Sequence, residues 1–390
     1  MLESIALIFL VGMLSGHIFK KLHLPALMGM ILAGIFLSGM LDSSVREISS
    51  DLRQIALVII LTRAGFSLNV EDLRKAGRGA VLMCFLPAAF EIAGTYLTAP
   101  YFFGISHTEA LVLGSVIAAV SPAVIVPMMI KLIDEGYGKE HCVPQTILAG
   151  ASADDVFVIV LFTSFTGILS GQGDISVITF AQIPVSIFLG ILMGVLAGYM
   201  LNVYFRKVHI RDTAKVIVML SICFLMIDIQ DRLEDKIRIS ALIGIMAIGI
   251  SFNKFYPQIA QRLSVKYNKL WTGAEIMLFV LVGAEVDVKS AAEYGFTAVI
   301  YIFTALIFRM AGVFVSLIKT PMTLKERLFC MIAYTPKATV QAAIGAVPLA
   351  MGLPCGQLVL TVAVLAILIT APIGATATDF AYRRLLTKQQ

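Results

Sequence analysis

The chain of 390 residues is 59% hydrophobic and only 14% charged, whereas soluble domains are about 45–50% apolar and about 25% charged. This composition excludes an ordinary soluble fold. The net charge of +5 is typical of a membrane protein with basic cytoplasmic loops, so it does not indicate nucleic acid as a partner. The five cysteines are scattered, without the paired spacing of a metal site or a disulfide framework.

Apolar segments recur along the whole chain, and each is long enough to cross the hydrocarbon core of a lipid bilayer. Together with the turn and charge signals between them, they predict an all-α polytopic membrane protein of about 13 transmembrane helices. The first segment lacks the features of a cleaved leader, so we expect it to be retained. The predicted spans begin near Leu2, Leu24, Asp51, Arg78, Thr108, Pro144, Val177, Asp212, Ile237, Trp271, Tyr294, Leu328 and Gly356.

Lysine and arginine are concentrated in alternate connections between these spans. Cytoplasmic loops carry the excess of basic residues, so the odd-numbered connections are predicted to be cytoplasmic. The N-terminus is then outside and the C-terminus cytoplasmic. This pattern predicts an integral multi-pass protein of the plasma (inner) membrane.

Six charged residues fall inside predicted spans. An isolated charge in a bilayer costs about 3 kcal/mol on an insertion scale, so such residues are paired, protonated or facing water, and they mark transport pathways. The six are Arg63, Glu91, Asp154, Asp155, Arg309 and Lys337. Arg63 lies close to the cytoplasmic end of the third span, so we expect its side chain to extend to the membrane surface. The other five are expected to lie at the transport site.

Two parts of the chain carry similar landmarks. Gly65 near the end of the third span aligns with Gly283 near the end of the tenth, and the same separation of 218 residues carries Glu91 onto Arg309. Copies an odd number of crossings apart run in opposite directions, which predicts the inverted repeat of secondary transporters. The opposite signs of Glu91 and Arg309 favour a structural salt bridge, with a direct part in coupling as the alternative.

Prolines lie near the middle of the fifth and twelfth spans. With a shift of four residues, Pro122 aligns with Pro336 and Ser121 with Thr335. A proline inside a helix removes a backbone hydrogen bond, and the symmetric placement predicts two crossing broken helices rather than ordinary kinks. Lys337 is placed to neutralise the negative C-terminal end of a half-helix. The hydroxyls of Ser121 and Thr335 are candidate ion ligands.

Adjacent acids, Asp154 and Asp155, lie within the sixth span. Burial and mutual repulsion oppose full ionisation of such a pair. A carboxylate in this setting can hold a proton or a dehydrated Na⁺ but not both, and this competition predicts exchange. The hydroxyl of Ser152 lies on roughly the same helix face as Asp155 and is another candidate oxygen ligand. The alternative is a purely structural ion pair between the acids and Arg309 or Lys337.

On these residues the chain resembles the monovalent cation–proton antiporter superfamily, especially its NHA-like sodium/proton antiporter branch. The resemblance covers nearly the whole chain. Its most specific parts are Ala153-Asp154-Asp155, Ser121-Pro122 and the sequence YTPKATVQAAIG from Tyr334 to Gly345.

The resemblance implies a homodimer whose protomers each combine a dimerisation domain with a core that moves like an elevator. The core would comprise residues 78–170 and 293–382, and the dimerisation or scaffold helices residues 1–77 and 177–290. Asp155 resembles the principal cation and proton ligand, with Asp154 as its neighbour. Many electrogenic relatives carry a lysine where this chain has Arg309, and arginine seldom releases a proton. The resemblance therefore leaves the proton stoichiometry open.

The resemblance implies a secondary active antiporter that exchanges Na⁺ or Li⁺ for protons in pH homeostasis, without a cofactor. One alternative is a Kef-type K⁺/H⁺ antiporter, but such proteins commonly carry a nucleotide-binding domain with a G-x-G-x-x-G turn, and that motif is absent here. Another is an ion-coupled organic solute symporter, since such carriers also have broken crossing helices. A channel or an enzyme has little support, because no catalytic triad, metal-ligand cluster or phosphate loop is visible.

Overall fold

The computed structural model describes residues 1–22, 24–67, 77–170, 177–208, 210–233, 239–286 and 288–388. These ranges are helical apart from short connections and an isolated β-bridge between Tyr137 and Lys388. The first nine helices are α1 Leu2–Lys21, α2 Ala26–Leu37, α3 Ser43–Glu47, α4 Ser49–Ser67, α5 Gly77–Met83, α6 Leu86–Phe103, α7 His107–Ile117, α8 Pro122–Glu135 and α9 Val143–Leu169. The others are α10 Val177–Lys207, α11 Asp212–Leu233, α12 Ala241–Phe255, α13 Pro257–Ala284, α14 Val288–Ser316, α15 Leu324–Ala333, α16 Thr339–Gly345, α17 Val347–Ala350 and α18 Gly356–Leu385.

Most of the predicted spans correspond to helices that begin close to the predicted residue. The tenth span is the exception. Its helix begins at Pro257 rather than near Trp271. Proline is favoured in the first turn of a helix, and the charged first half that follows it extends the helix beyond the apolar stretch. A window that follows hydropathy alone therefore misses this half. The predicted start near Ile237 lies outside the described residues.

Six helices among the described residues are long and apolar enough to cross a bilayer. Shorter apolar helices accompany them, including both halves of the segment interrupted before Pro122 and the second half of the segment interrupted at Pro336. The predicted all-α membrane fold is confirmed, whereas the number of crossings stays a prediction.

The chain divides into two compact units. The first comprises Met1–Ser50, Glu71–Val158 and Ile276–Gln390, and the second comprises Asp51–Val70 and Ile159–Glu275. In the first unit α6 packs along α14, and α18 packs against α14, α15, α16 and α17. In the second unit α10 packs along α12.

The inverted repeat is visible where α6 packs on α14. Gly94 of α6 lies against the ring of Phe308, and Gly312 of α14 lies against the side chain of Phe90. Each partner is displaced from its counterpart by 218 residues, the separation that also relates Glu91 to Arg309. The contact is therefore its own image under the repeat, with the sequences FEIAG and FRMAG in the two copies.

Close glycine packing repeats in the same way within each unit. In the second unit, Gly65 of α4 and Gly249 of α12 lie backbone to backbone. In the first unit, Gly34 of α2 lies against the backbone of α13, and Gly283 of α13 lies against the backbone of α2. Small residues allow helices to approach this closely in membranes. The predicted alignment of Gly65 with Gly283 thus corresponds to equivalent packing positions.

The first halves of the two broken helices begin alike. Ser106 and Glu109 form a reciprocal capping box at the start of α7, and Thr323 and Glu326 form one at the start of α15. Each box satisfies backbone donors that the first helical turn would otherwise leave unpaired. The boxes lie 217 residues apart, so the two copies of the repeat also match at the N-terminal ends of these helices.

Candidate functional site

The site is built around two interruptions in helical structure. Helix α7 ends at Ile117 and α8 begins at Pro122, which leaves residues 118–121 unwound; α15 ends at Ala333 and α16 begins at Thr339. The two interruptions meet, because the Ser121 amide donates to the Pro336 carbonyl at 2.8 Å. Pro122 occupies the first turn of α8, where its missing amide costs nothing. The predicted broken helices are present at both prolines.

Arg309 of α14 is fully buried and contacts four other parts of the chain. Its guanidinium lies 3.0 Å from the Glu91 carboxylate and 2.9 Å from that of Asp154. It also donates to the carbonyl of Tyr334 at 2.6 Å and to that of Ala118. The predicted Glu91–Arg309 salt bridge is therefore present, and the same guanidinium binds Asp154.

Lys337 supplies the second buried positive charge. Its amine lies 2.6 Å from the other carboxylate oxygen of Glu91 and donates to the carbonyl of Ile117, the last residue of α7. A cation at this place stabilises the negative C-terminal end of α7. Glu91 thus pairs with both Arg309 and Lys337, a sharing that the sequence did not predict.

The adjacent acids have different surroundings. Asp154 is fully buried, and one of its oxygens accepts from the Val120 amide at 2.8 Å and from Arg309. Asp155 is 7% exposed and makes no salt bridge with any residue that the structure describes. Among the described residues, its buried Oδ1 atom has no hydrogen-bond partner, and the same is true of Oδ1 of Asp154.

The predicted hydroxyl ligands differ in what the structure shows of them. Ser121 is fully buried, and its hydroxyl has no hydrogen-bond partner within the part of the chain that the structure describes. Thr335 donates its hydroxyl proton to the carbonyl of Ile332 at 2.8 Å, which leaves the oxygen lone pairs available. The side chain of Ser152 lies outside the described part of the structure.

Gln341 is a polar residue of the site that the sequence reasoning did not single out. It is fully buried in α16, where its side-chain oxygen accepts from the Ala338 amide and its amide group donates to the Ala119 carbonyl, both at 2.8 Å. The signal in the sequence is a long uncharged polar side chain in a short, mostly apolar helix, directly after a break.

Comparison with known proteins identifies the group to which this arrangement belongs. A family model described as the transmembrane sodium/hydrogen exchanger matches residues 5–382. The chain belongs to the sodium/hydrogen exchanger family. This membership establishes an integral membrane protein of a transporter family, one whose members exchange sodium for protons.

Two human relatives illustrate the similarity. Sodium/hydrogen exchanger 9B2 of Homo sapiens is 32% identical over 94% of this chain and 70% of its own length. Sodium/hydrogen exchanger 9B1 of the same organism is 30% identical over 99% of this chain and 78% of its own length. The amphibian exchanger 9B2 of Xenopus tropicalis is also 32% identical, over 97% of this chain and 73% of its own length.

A solved structure has the same fold. The sodium proton antiporter MjNhaP1 from Methanocaldococcus jannaschii superimposes with a TM-score of 0.85 over 98% of both chains, at 18% sequence identity. The all-α antiporter fold predicted from the sequence is therefore confirmed.

Proposed function

We propose that this exchanger moves Na⁺ or Li⁺ in one direction and protons in the other by letting the Asp155 carboxylate bind each in turn. The observation that carries the proposal is the difference between the two aspartates. Asp154 is held by Arg309 and by the Val120 amide, whereas Asp155 makes no salt bridge with any residue that the structure describes and its buried Oδ1 atom has no hydrogen-bond partner among them. Buried polar atoms in proteins are almost always satisfied, so an unsatisfied carboxylate oxygen is typical of a ligand site.

Charge balance supports the same choice. Glu91 and Asp154 contribute two negative charges, and Arg309 and Lys337 contribute two positive charges, so the connected network is neutral. The charge of Asp155 is then left to be neutralised by a proton or by a monovalent cation. Because either one removes the need for the other, binding of Na⁺ releases a proton and the reverse.

Oxygen atoms near the breaks are the proposed additional ligands, since hard monovalent cations prefer oxygen. The Ser121 hydroxyl and Oδ1 of Asp154 are both buried, and neither has a hydrogen-bond partner among the described residues. The hydroxyls of Thr335 and Ser152 complete the proposed set. Replacing the hydration shell of a cation requires several such oxygens at once, and a broken helix supplies polar groups that an intact helix would use internally.

We also propose an elevator-type movement in which the core helices of residues 78–170 and 293–382 carry the site past the scaffold helices of residues 1–77 and 177–290. The network supports this, since each of its ion pairs joins residues of the proposed core. Disulfide cross-links between core and scaffold should stop exchange while cation binding persists. Exchange that continues at full rate in cross-linked protein would count against the movement.

We further propose a homodimer, with the N-terminus outside and the C-terminus in the cytoplasm of a cell whose plasma (inner) membrane holds the protein. Leu10 and Leu14 on α1 are each more than half exposed, which leaves an apolar surface for lipid or a second copy. Native mass spectrometry of the protein in detergent should give twice the mass of the chain. A monomer under mild conditions would contradict the dimer.

The central test uses everted membrane vesicles with an imposed pH gradient. Addition of Na⁺ or Li⁺ should dissipate the gradient, and Asp155→Asn should abolish this response because a neutral amide neither titrates nor carries the charge. Asp379→Asn serves as a matched control, since Asp379 is an exposed acid paired with Lys131. Full activity in Asp155→Asn would refute the ion site, and a response to K⁺ alone would favour the Kef-type alternative.

A further inference from the structure

Three side chains donate to backbone carbonyls at the end of α7 and in the unwound residues 118–121 that follow it. The carbonyl of Ile117 accepts from Lys337, that of Ala118 accepts from Arg309, and that of Ala119 accepts from Gln341. Two of these donors belong to the charged network. Gln341 is the uncharged member of the set, so it does not itself change charge when a proton or a cation binds.

Gln341 also connects the two breaks to each other. Its side-chain oxygen caps the start of α16 by accepting from the Ala338 amide, while its amide group reaches the end of α7 at Ala119 and, at 3.4 Å, at Ile117. One buried side chain therefore satisfies the N-terminal end of one half-helix and the C-terminal end of another. Such ends are costly to bury without partners.

The same four residues carry the groups proposed to receive the cation. The amide of Val120 binds Asp154, and the hydroxyl of Ser121 is buried without a partner. A shift of the carbonyls at Ile117 and Ala119 would move Val120 and Ser121 with them, because they are adjacent along the backbone. Ligand geometry at the site thus depends on how firmly this segment is held.

We propose that Gln341 is a positioning residue that fixes the unwound segment 118–121 against the start of α16 and thereby sets the affinity of the site for the transported cation. The proposal rests on the proposed function, in which Asp155 and its neighbours bind that cation. Loss of the glutamine bonds should weaken cation binding more than it slows the movement of the loaded core.

The test compares three variants by Na⁺-dependent proton exchange in proteoliposomes. Gln341→Met keeps the length and loses every hydrogen bond, and Gln341→Glu keeps the acceptor but cannot donate when ionised. Both should raise the apparent KM for Na⁺ at least about fivefold, as expected for one or more lost buried hydrogen bonds, with a smaller change in maximal rate. Gln357→Met is the matched control and should leave KM unchanged, because the Gln357 amide nitrogen has no hydrogen-bond partner.

Several outcomes would overturn the proposal while leaving the proposed function standing. An unchanged KM in Gln341→Met, with Asp155→Asn inactive, would show that Gln341 does not position the site. A wild-type KM in both Gln341→Met and Gln341→Glu would show that the donated bonds to Ile117 and Ala119 are unnecessary. If Gln341→Met lowers the yield of folded protein, Gln341→Glu provides the KM comparison. The glutamate keeps the oxygen that accepts from the Ala338 amide, so it disturbs the start of α16 less. Activity in Asp155→Asn would instead refute the proposed ion site itself.

Discussion

Removing the carboxylate of Glu91 should leave Lys337, rather than Arg309, as an uncompensated buried charge. Glu91 is fully buried and lies 2.6 Å from the Lys337 amine and 3.0 Å from the Arg309 guanidinium. In Glu91→Gln, Arg309 keeps Asp154 at 2.9 Å. Lys337 keeps the carbonyl of Ile117 as its acceptor and loses its acid.

The magnitude follows from these contacts. At an effective dielectric constant of about 20, each contact at such distances contributes about 6 kcal/mol of attraction before desolvation is counted. Much of that attraction offsets the cost of burying the carboxylate, and breaking a buried pair by removing one partner costs about 3–5 kcal/mol overall. We expect Glu91→Gln to lower the free energy of unfolding by about that amount.

A double-mutant comparison identifies which base is left uncompensated. Glu91→Gln combined with Lys337→Met removes the orphaned charge and should recover at least half of the lost stability. Glu91→Gln combined with Arg309→Met removes the partner of Asp154 as well, so it should be less stable than Glu91→Gln alone. The measurement is reversible unfolding in mixed dodecyl maltoside and SDS micelles, with wild-type protein as the reference.

The reverse order of the two double mutants would refute the reasoning, since it would mean that Arg309 depends on Glu91 more than Lys337 does. A loss below about 1 kcal/mol in Glu91→Gln would also refute it, because that is the range of exposed pairs. Exchange assays on the same proteins separate stability from transport. The stabilised Glu91→Gln/Lys337→Met protein should fold well whether or not it transports.

Two other predictions concern orientation and helix packing. Cys142 is the exposed cysteine among the five, and the others are buried. A membrane-impermeant maleimide should therefore label Cys142 in everted vesicles and not in right-side-out vesicles, and Cys142→Ser should remove the signal. Labelling of right-side-out vesicles alone would contradict the predicted topology. A methyl group at Gly312 would meet the backbone of Pro87, so Gly312→Ala should cost about 1–3 kcal/mol. Gly295→Ala in the same helix has open space around it and should be neutral or slightly stabilising, and equal effects at both positions would contradict the packing.

The fold could be predicted from the sequence because a bilayer restricts the backbone structures that a chain can adopt. Backbone groups in hydrocarbon must be satisfied internally, so long apolar segments are helices almost by necessity. Rare residues then stand out against the apolar background. Two broken helices could therefore be predicted from Pro122 and Pro336, and a salt bridge from Glu91 and Arg309. The structure contains both breaks and the salt bridge.

The sequence also contains a closer match between the two copies of the repeat than the landmarks at Gly65 and Gly283. The segments FEIAG and FRMAG contain the phenylalanine and glycine pairs that pack on each other in the antiparallel contact between α6 and α14. Hydropathy assigned the tenth span too short, because the first half of α13 is charged and amphipathic helices can extend past an apolar stretch.

What the sequence by itself determined is therefore the class of protein, the two broken helices, the inverted repeat and the set of charged residues that needed partners. Only the tertiary structure decided the partners: Glu91 pairs with two bases, Arg309 also pairs with Asp154, and Asp155 makes no salt bridge with any described residue. The physical reason is that a charge in a membrane demands compensation, which local sequence reveals, whereas the choice among several candidates depends on distances of a few ångströms between helices far apart in the chain.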